Sequence, residues 1–155
     1  MKSVTHALTM NGGIHGELKD PLDSAEDVIQ KRLALLDGAG RYSLSLWELP
    51  EGVPFDRVNL KKWPQEYIQA AGSRERMTVE VRRQEAGGHR QYVIGRSRSG
   101  SQHGSAAMTT IVWDSVETEV LPTEVFTAAE AAELFVAYYA TAGVPSTYVL
   151  RPLEL

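Results

Sequence analysis

"VFTAAEAAELFVAYYATAGVPSTYVLRPLEL" closes the chain at residues 125–155 and carries its clearest structural signal. Thr127 followed by Glu130 is a capping box, in which each side chain satisfies a backbone N–H that the first helical turn leaves free. Ala131, Leu134, Phe135, Tyr138, Tyr139 and Ala142 recur at helical spacing on one side, while Glu130 and Glu133 fall elsewhere. Gly143 and Pro145 supply the stop. "TYVLRPL" then reads as a short strand. An alanine-rich amphipathic helix can lie close to a sheet, so this ending predicts helix on sheet.

The elements upstream agree. "SVTHALTM" (3–10) alternates weakly as an opening strand, with "NGG" behind it as a turn. "DSAEDVIQKRLALLDG" reads as a helix capped by Asp23 or Ser24, with Val28, Ile29, Leu33 and Leu36 on one face and Gly38 past its end. "RYSLSLWEL" (41–49) sets Tyr42, Leu44 and Leu46 against Ser43, Ser45 and Trp47, a half-buried strand pattern. In "PFDRVNLKKWPQEYIQAAGS" the interrupting Pro64 predicts a loop and then a short helix. "RMTVEVRRQ" (76–84) and "RQYVIGRS" (90–97) form a hairpin around "AGGH". "GRSRSGSQHGS" (95–105) reads as an exposed loop. "MTTIVWDS" (108–115) and "VETEVLP" (116–122) make a further strand pair. Together these predict an α+β fold: one domain over residues 1–155, a mostly antiparallel sheet with two main helices packed on it.

Composition narrows the function. The 155 residues are 43% hydrophobic and 23% charged, ordinary for a globular chain with a sizeable core. There is no cysteine, which excludes disulfides, thiolate zinc sites and a cysteine nucleophile and suits a reducing compartment. "MKSVTHALTMNGGIHGE" is unlike a signal or transit peptide, and no apolar run reaches the roughly 20 residues of a membrane span, so a cytoplasmic location is expected. Net charge is −4 but unevenly spread. Residues 74–98 hold seven arginines against three glutamates, whereas 99–155 hold one arginine against seven acids. A basic middle and an acidic end each have the makings of a charged contact surface.

Motifs of catalysis do not assemble. His6, His15, His89 and His103 show no i, i+4 pairing and no H-E-x-x-H pattern, so no metal is called for. The serine-rich loop is not G-x-S-x-G and does not lead from strand to helix. "DGAGRYS" (37–43) lacks the third glycine of a dinucleotide fingerprint and runs from helix to strand, the reverse order. Glu117 and Glu119 lie two apart on a strand and share a face, with Asp114 beside them, but no apolar stretch surrounds them to tune a catalytic acid. Arg82, Arg83, Arg90, Arg96 and Arg98 with Tyr92 could track a nucleic-acid backbone, yet Glu80 and Glu85 dilute the stripe and the pI is about 5.6. Direct nucleic-acid binding through the 76–98 hairpin is therefore the lesser reading, beside that of a small ligand-binding domain with a pocket under the sheet.

The segment "TIVWDSVETEVLPTEVFTAAEAAELFVAYYATAGVPSTYVLRPLEL" resembles immunity protein family 1 of bacterial polymorphic toxin systems. The matching features are an aromatic-bearing strand, a short acidic pair, and a helix of the "EA…LF…YY" kind carried here by Glu130, Ala131, Leu134, Phe135, Tyr138, Tyr139, Gly143 and Pro145. The likeness covers the last third of the chain and elsewhere only the order of elements. It implies a non-catalytic cytoplasmic protein, without cofactor, that binds a cognate secreted toxin domain. In that family the toxin is often a nucleic-acid deaminase, and other nucleases occur in similar systems. A toxin acting on nucleic acid carries a basic cleft, so the expected contact surface is Trp113, Asp114, Glu117, Glu119 and Glu124, with the protein a monomer or weak homodimer. The closing helix is then scaffold for that acidic strand pair.

Overall fold

A computed structural model describes residues 4–97 and 107–153. Among the described residues, nine strands form a seven-stranded and a two-stranded antiparallel sheet, with two α-helices on one face of the larger. The chain opens with a hairpin, β1 (His6–Met10) and β2 (Ile14–Glu17), followed by α1 (Ala25–Leu33) and β3 (Ser43–Glu48). Next come β4 (Tyr67–Ser73), β5 (Arg76–Glu85) and β6 (Gly88–Arg96), and then β7 (Thr109–Trp113) and β8 (Val116–Val120). Helix α2 (Ala128–Thr141) and β9 (Tyr148–Pro152) close it. The main sheet has seven strands in the order β2-β1-β3-β4-β5-β6-β9, and β7-β8 stand apart as a two-stranded sheet. Every pairing is antiparallel, as an α+β sheet built from hairpins predicts. No described helix is long and apolar enough to cross a membrane.

The closing stretch folds as its spacing dictates. Thr127 Oγ1 accepts from Glu130 N–H (3.3 Å) and Glu130 Oε1 accepts from Thr127 N–H (2.9 Å), completing the capping box. Ala131, Leu134, Phe135 and Tyr138 are buried against the sheet. Burial of Phe135 and Leu134 contributes about 1.5–3 kcal/mol each. The left-handed residue that ends α2 is Ala142 (φ 59°), one position earlier than the glycine stop expected from sequence. Its N–H still closes onto Tyr138 O at 2.7 Å. Enclosure pushes the Tyr138 hydroxyl up to about 12, chiefly by desolvation and then by Glu66 and Glu48.

Helix α1 starts as expected, with Ser24 Oγ accepting from Asp27 N–H at 3.2 Å, but it stops sooner than its apolar pattern. Leu36 joins the core from a turn. There Leu36 O accepts from Arg74 N–H, and Asp37 Oδ1 accepts from Ala39 and Arg41 N–H. Those bonds from outside the helix replace the ones a further turn would have made.

Two expectations are corrected. The short helix after Pro64 is instead β4, because Ile68 and Ala70 face the helices in register with Leu46 and Leu44 of β3. Two alanines and a glutamine carry little strand preference, so pairing on both sides overrides local tendency. Strand β3 is not half-buried: Trp47, on its supposedly open side, is 0% exposed. Residues 49–66 fold over it, laying Phe55, Val58 and Trp63 on Ala7, Trp47 and Leu49. The β5-β6 hairpin forms as predicted, with Ala86 and Gly87 as its two-residue turn. Of the serine-rich loop, Gly95 and Arg96 belong to β6, whereas residues 98–106, with Arg98 and His103, lie outside the described residues.

Candidate functional site

Chain alternation places residues of one parity on the helix side of the sheet and the others on the opposite face. That opposite face is covered at two places. The 49–66 segment sits over the row containing Ala7 and Trp47, as described above. The β7-β8 hairpin covers the other end, packing Ile111 and Val120 with Val93 and, at its tip, Trp113. A Cβ added to Gly72 would lie 3.1 Å from Ile111 Cγ2, which locates the hairpin directly over the β4 backbone.

The hairpin is built by a two-residue turn in which Asp114 (φ 46°) and Ser115 (φ 64°) both take left-handed values, the geometry that suits strand twist. Its side chains divide by register. Ile111, Trp113, Val116, Thr118 and Val120 share the inner side, and Thr110, Val112, Glu117 and Glu119 the outer. Trp113 is half-buried, stacks on Tyr42 at 5.8 Å between ring centroids, and donates from Nε1 to Thr118 Oγ1 at 3.0 Å. Asp114, Glu117 and Glu119 are exposed, and Thr110 Oγ1 donates to Glu119 Oε1 at 2.8 Å. Val112 (55%) and Val116 (44%) are exposed beside them. Four of the five residues expected at a contact surface therefore lie on one element, three of them exposed and Trp113 half-buried.

Glu124 does not join them, and its expected place on the acidic surface is corrected. It is 2% exposed in a single 3-10 turn (Pro122–Glu124), where Arg151 of β9 grips both its oxygens, Nε to Oε2 at 2.8 Å and Nη2 to Oε1 at 2.9 Å. Leu121 N–H adds a third bond to Oε1 at 2.7 Å. The carboxylate lies against β6 where Gly95 leaves room, since a Cβ there would meet Glu124 Cγ at 3.1 Å. Glu124 fastens the end of the hairpin to the sheet and is not available to a partner.

One register row crosses all seven strands, polar except at Val93, which lies under the β7-β8 hairpin: His15, Thr9, Ser45, Gln69, Glu80, Val93 and Arg151. Sequence reasoning missed this row because its members are spread over seven strands. At one end Trp47 Nε1–H donates to Thr9 Oγ1 (2.9 Å), and Thr9 Oγ1 lies 2.8 Å from His15 Nδ1. An indole only donates, so the Thr9 hydroxyl accepts from Trp47 and links it to the His15 imidazole. Near the other end, Gln91 Nε2 donates to Glu80 Oε1 at 2.6 Å. Burial raises the Glu80 carboxyl above its ordinary value, against the opposing pull of that bond and of Arg151.

The arginine-rich hairpin is not one stripe. Arg83, Arg90 and Arg96 point to the helix side of β5 and β6, and Arg76 and Arg82 to the opposite face. Several are engaged: Arg83 with Glu85 (2.9 Å) and over the Tyr92 ring (4.9 Å), Arg96 with Glu130 (3.2 Å), and Arg76 with Thr109 and Thr110. A backbone-tracking groove needs free cations on one surface, and this division removes that support. Among the described residues no three His, Asp or Glu side chains converge as metal ligands. No protein-family model, no curated protein and no solved structure matches this chain.

Proposed function

We propose that this is an immunity-type binding protein, which neutralises a cognate toxin domain by docking the β7-β8 hairpin against a basic active-site cleft. The observation that carries this reading is the joint exposure of Asp114, Glu117 and Glu119 on one hairpin, with Val112 on the same side as the two glutamates and Val116 exposed at the tip. Opposed charge accelerates encounter and orients it, while desolvated apolar neighbours hold the complex. The rigid base beneath, with Trp113 stacked on Tyr42 and Glu124 held by Arg151, keeps the acids at a fixed angle.

The test is co-expression with the C-terminal domain encoded directly upstream, scored as survival and as complex formation. The wild type is expected to rescue and bind. The triple variant Asp114→Lys, Glu117→Lys, Glu119→Lys should remain folded and lose at least about tenfold in association rate at low salt. Unchanged affinity and unchanged salt dependence in that variant would exclude the hairpin as the docking surface.

Glu80 favours a second reading, a small-ligand site in the polar row. Its carboxyl is raised by burial and lies cross-strand from Gln69. A screen of small polar ligands by thermal shift, repeated on Glu80→Gln, separates the two: a stabilising ligand whose effect disappears in the variant would support this site.

A further inference from the structure

Among the described residues, hydrogen bonding along β7-β8 leaves one strand edge open. In an antiparallel pair, residues alternate between those that exchange backbone bonds with their partner and those whose N–H and C=O point away from it. Two features place Thr110 and Val112 in the outward class. Arg76 Nη2 donates to Thr110 O at 3.3 Å, and a Cβ on Gly38 would lie 3.4 Å from Val112 O. Both carbonyls thus turn toward the body of the protein, and Asp114 N–H follows by donating to Gly38 O at 2.9 Å. The β7 edge is occupied.

The cross-strand partners of Val112 and Thr110 are Glu117 and Glu119. Their backbone groups must turn outward in the same way, away from β7. Among the described residues, none of these N–H or C=O groups has a hydrogen-bond partner. Among the described residues the β8 edge is therefore a short, unpaired template carried by exposed residues, set where the expected partner-binding acids lie.

We propose that β8 receives an added strand, and that its occupant is an extended, basic segment of the partner protein. The side chains select the occupant. A second copy pairing antiparallel at this edge would bring Glu117 and Glu119 opposite each other, and like charges directly opposed are unfavourable. A strand with lysine or arginine at alternate positions instead sets a cation beside each glutamate. Its intervening residues lie beside Val116 and Thr118 on the inner side, where apolar side chains fit. The backbone supplies affinity and the glutamates supply choice. This inference rests on the reading of the hairpin as a docking surface and specifies how the contact is made.

The experiment uses the full chain and a hexapeptide of alternating lysine and valine, with an alternating glutamate–valine peptide as control. Binding is followed by amide hydrogen exchange and by titration. The Lys–Val peptide is expected to bind and protect the Glu117 and Glu119 amides, and the Glu–Val peptide to do neither. Glu119→Pro removes an outward N–H without touching the ladder to β7 and blocks the edge with its ring, whereas Glu119→Gln removes only charge. The proline variant should lose at least about tenfold in peptide affinity and the glutamine variant only about two- to fivefold. Equal losses in both variants would overturn strand addition while leaving charge-guided docking intact. Binding without protection of either amide in the wild type would overturn it too, even if Glu119→Pro failed to fold. Absence of any Lys–Val binding would refute it outright.

Discussion

Glu124→Ala tests the distinction between an acid that serves a surface and one that holds the fold. The side chain is 2% exposed and accepts three hydrogen bonds, two from Arg151 and one from Leu121 N–H. Removing it leaves the Leu121 N–H without its acceptor, a loss of about 1–3 kcal/mol. The ion pair adds less than a fully buried one, because the Arg151 side chain is 35% exposed and water screens it once released. The summed loss is about 2–4 kcal/mol, which at about 2–4 °C per kcal/mol for a domain of this size lowers Tm by about 5–15 °C. Thermal unfolding by circular dichroism reads this directly. A double-mutant cycle with Arg151→Ala should show the two losses to be markedly non-additive, since either substitution breaks the same pair. A Tm within about 2 °C of wild type would refute the reasoning and return Glu124 to the exposed acids, whose replacement typically costs within about 0.5 kcal/mol.

Gly72→Ala should be as damaging from the opposite cause: φ is +131°, and an added Cβ would sit 2.4 Å from Arg76 O and 2.9 Å from Met77 Cα, both backbone atoms that cannot step aside. A loss of more than about 2 kcal/mol in denaturant unfolding is expected, and a neutral variant would show the β4-β5 backbone to be positioned otherwise. Glu80→Gln should raise Tm at pH 7. Because the folded carboxyl binds its proton more tightly than the unfolded one, the wild type loses stability as pH rises from its ordinary value of 4.5 through the raised folded value. The advantage of the variant should therefore vanish below pH 4.5, and a variant less stable than wild type at pH 7 would contradict the burial of this carboxylate.

The acidic surface was legible in the sequence only in part, and particular residues show why. Asp114, Glu117 and Glu119 are readable because strand alternation around a two-residue turn determines their side locally. Glu124 has the same charge and stands close by, yet its burial depends on Arg151 from β9 and on the space above Gly95. Neither relation leaves a trace near Glu124 in the chain. The row from His15 to Arg151 is hidden for the same reason, each polar member being an ordinary residue in its own strand.

What the sequence determined by itself was whatever short-range physics decides: the Thr127–Glu130 capping box, the apolar face of α2, the Ser24 cap and the turn at Ala86 and Gly87. Those features depend on groups within a helical turn or a hairpin of one another, so composition and spacing carry them. The tertiary structure alone decided that 67–73 is a strand, that Trp47 lies covered, that β7-β8 leave the main sheet, and that the β8 edge remains open among the described residues. Each of these rests on partners distant in the chain, where the free energy of pairing and burial outweighs the slight local preferences of alanine, glutamine and serine.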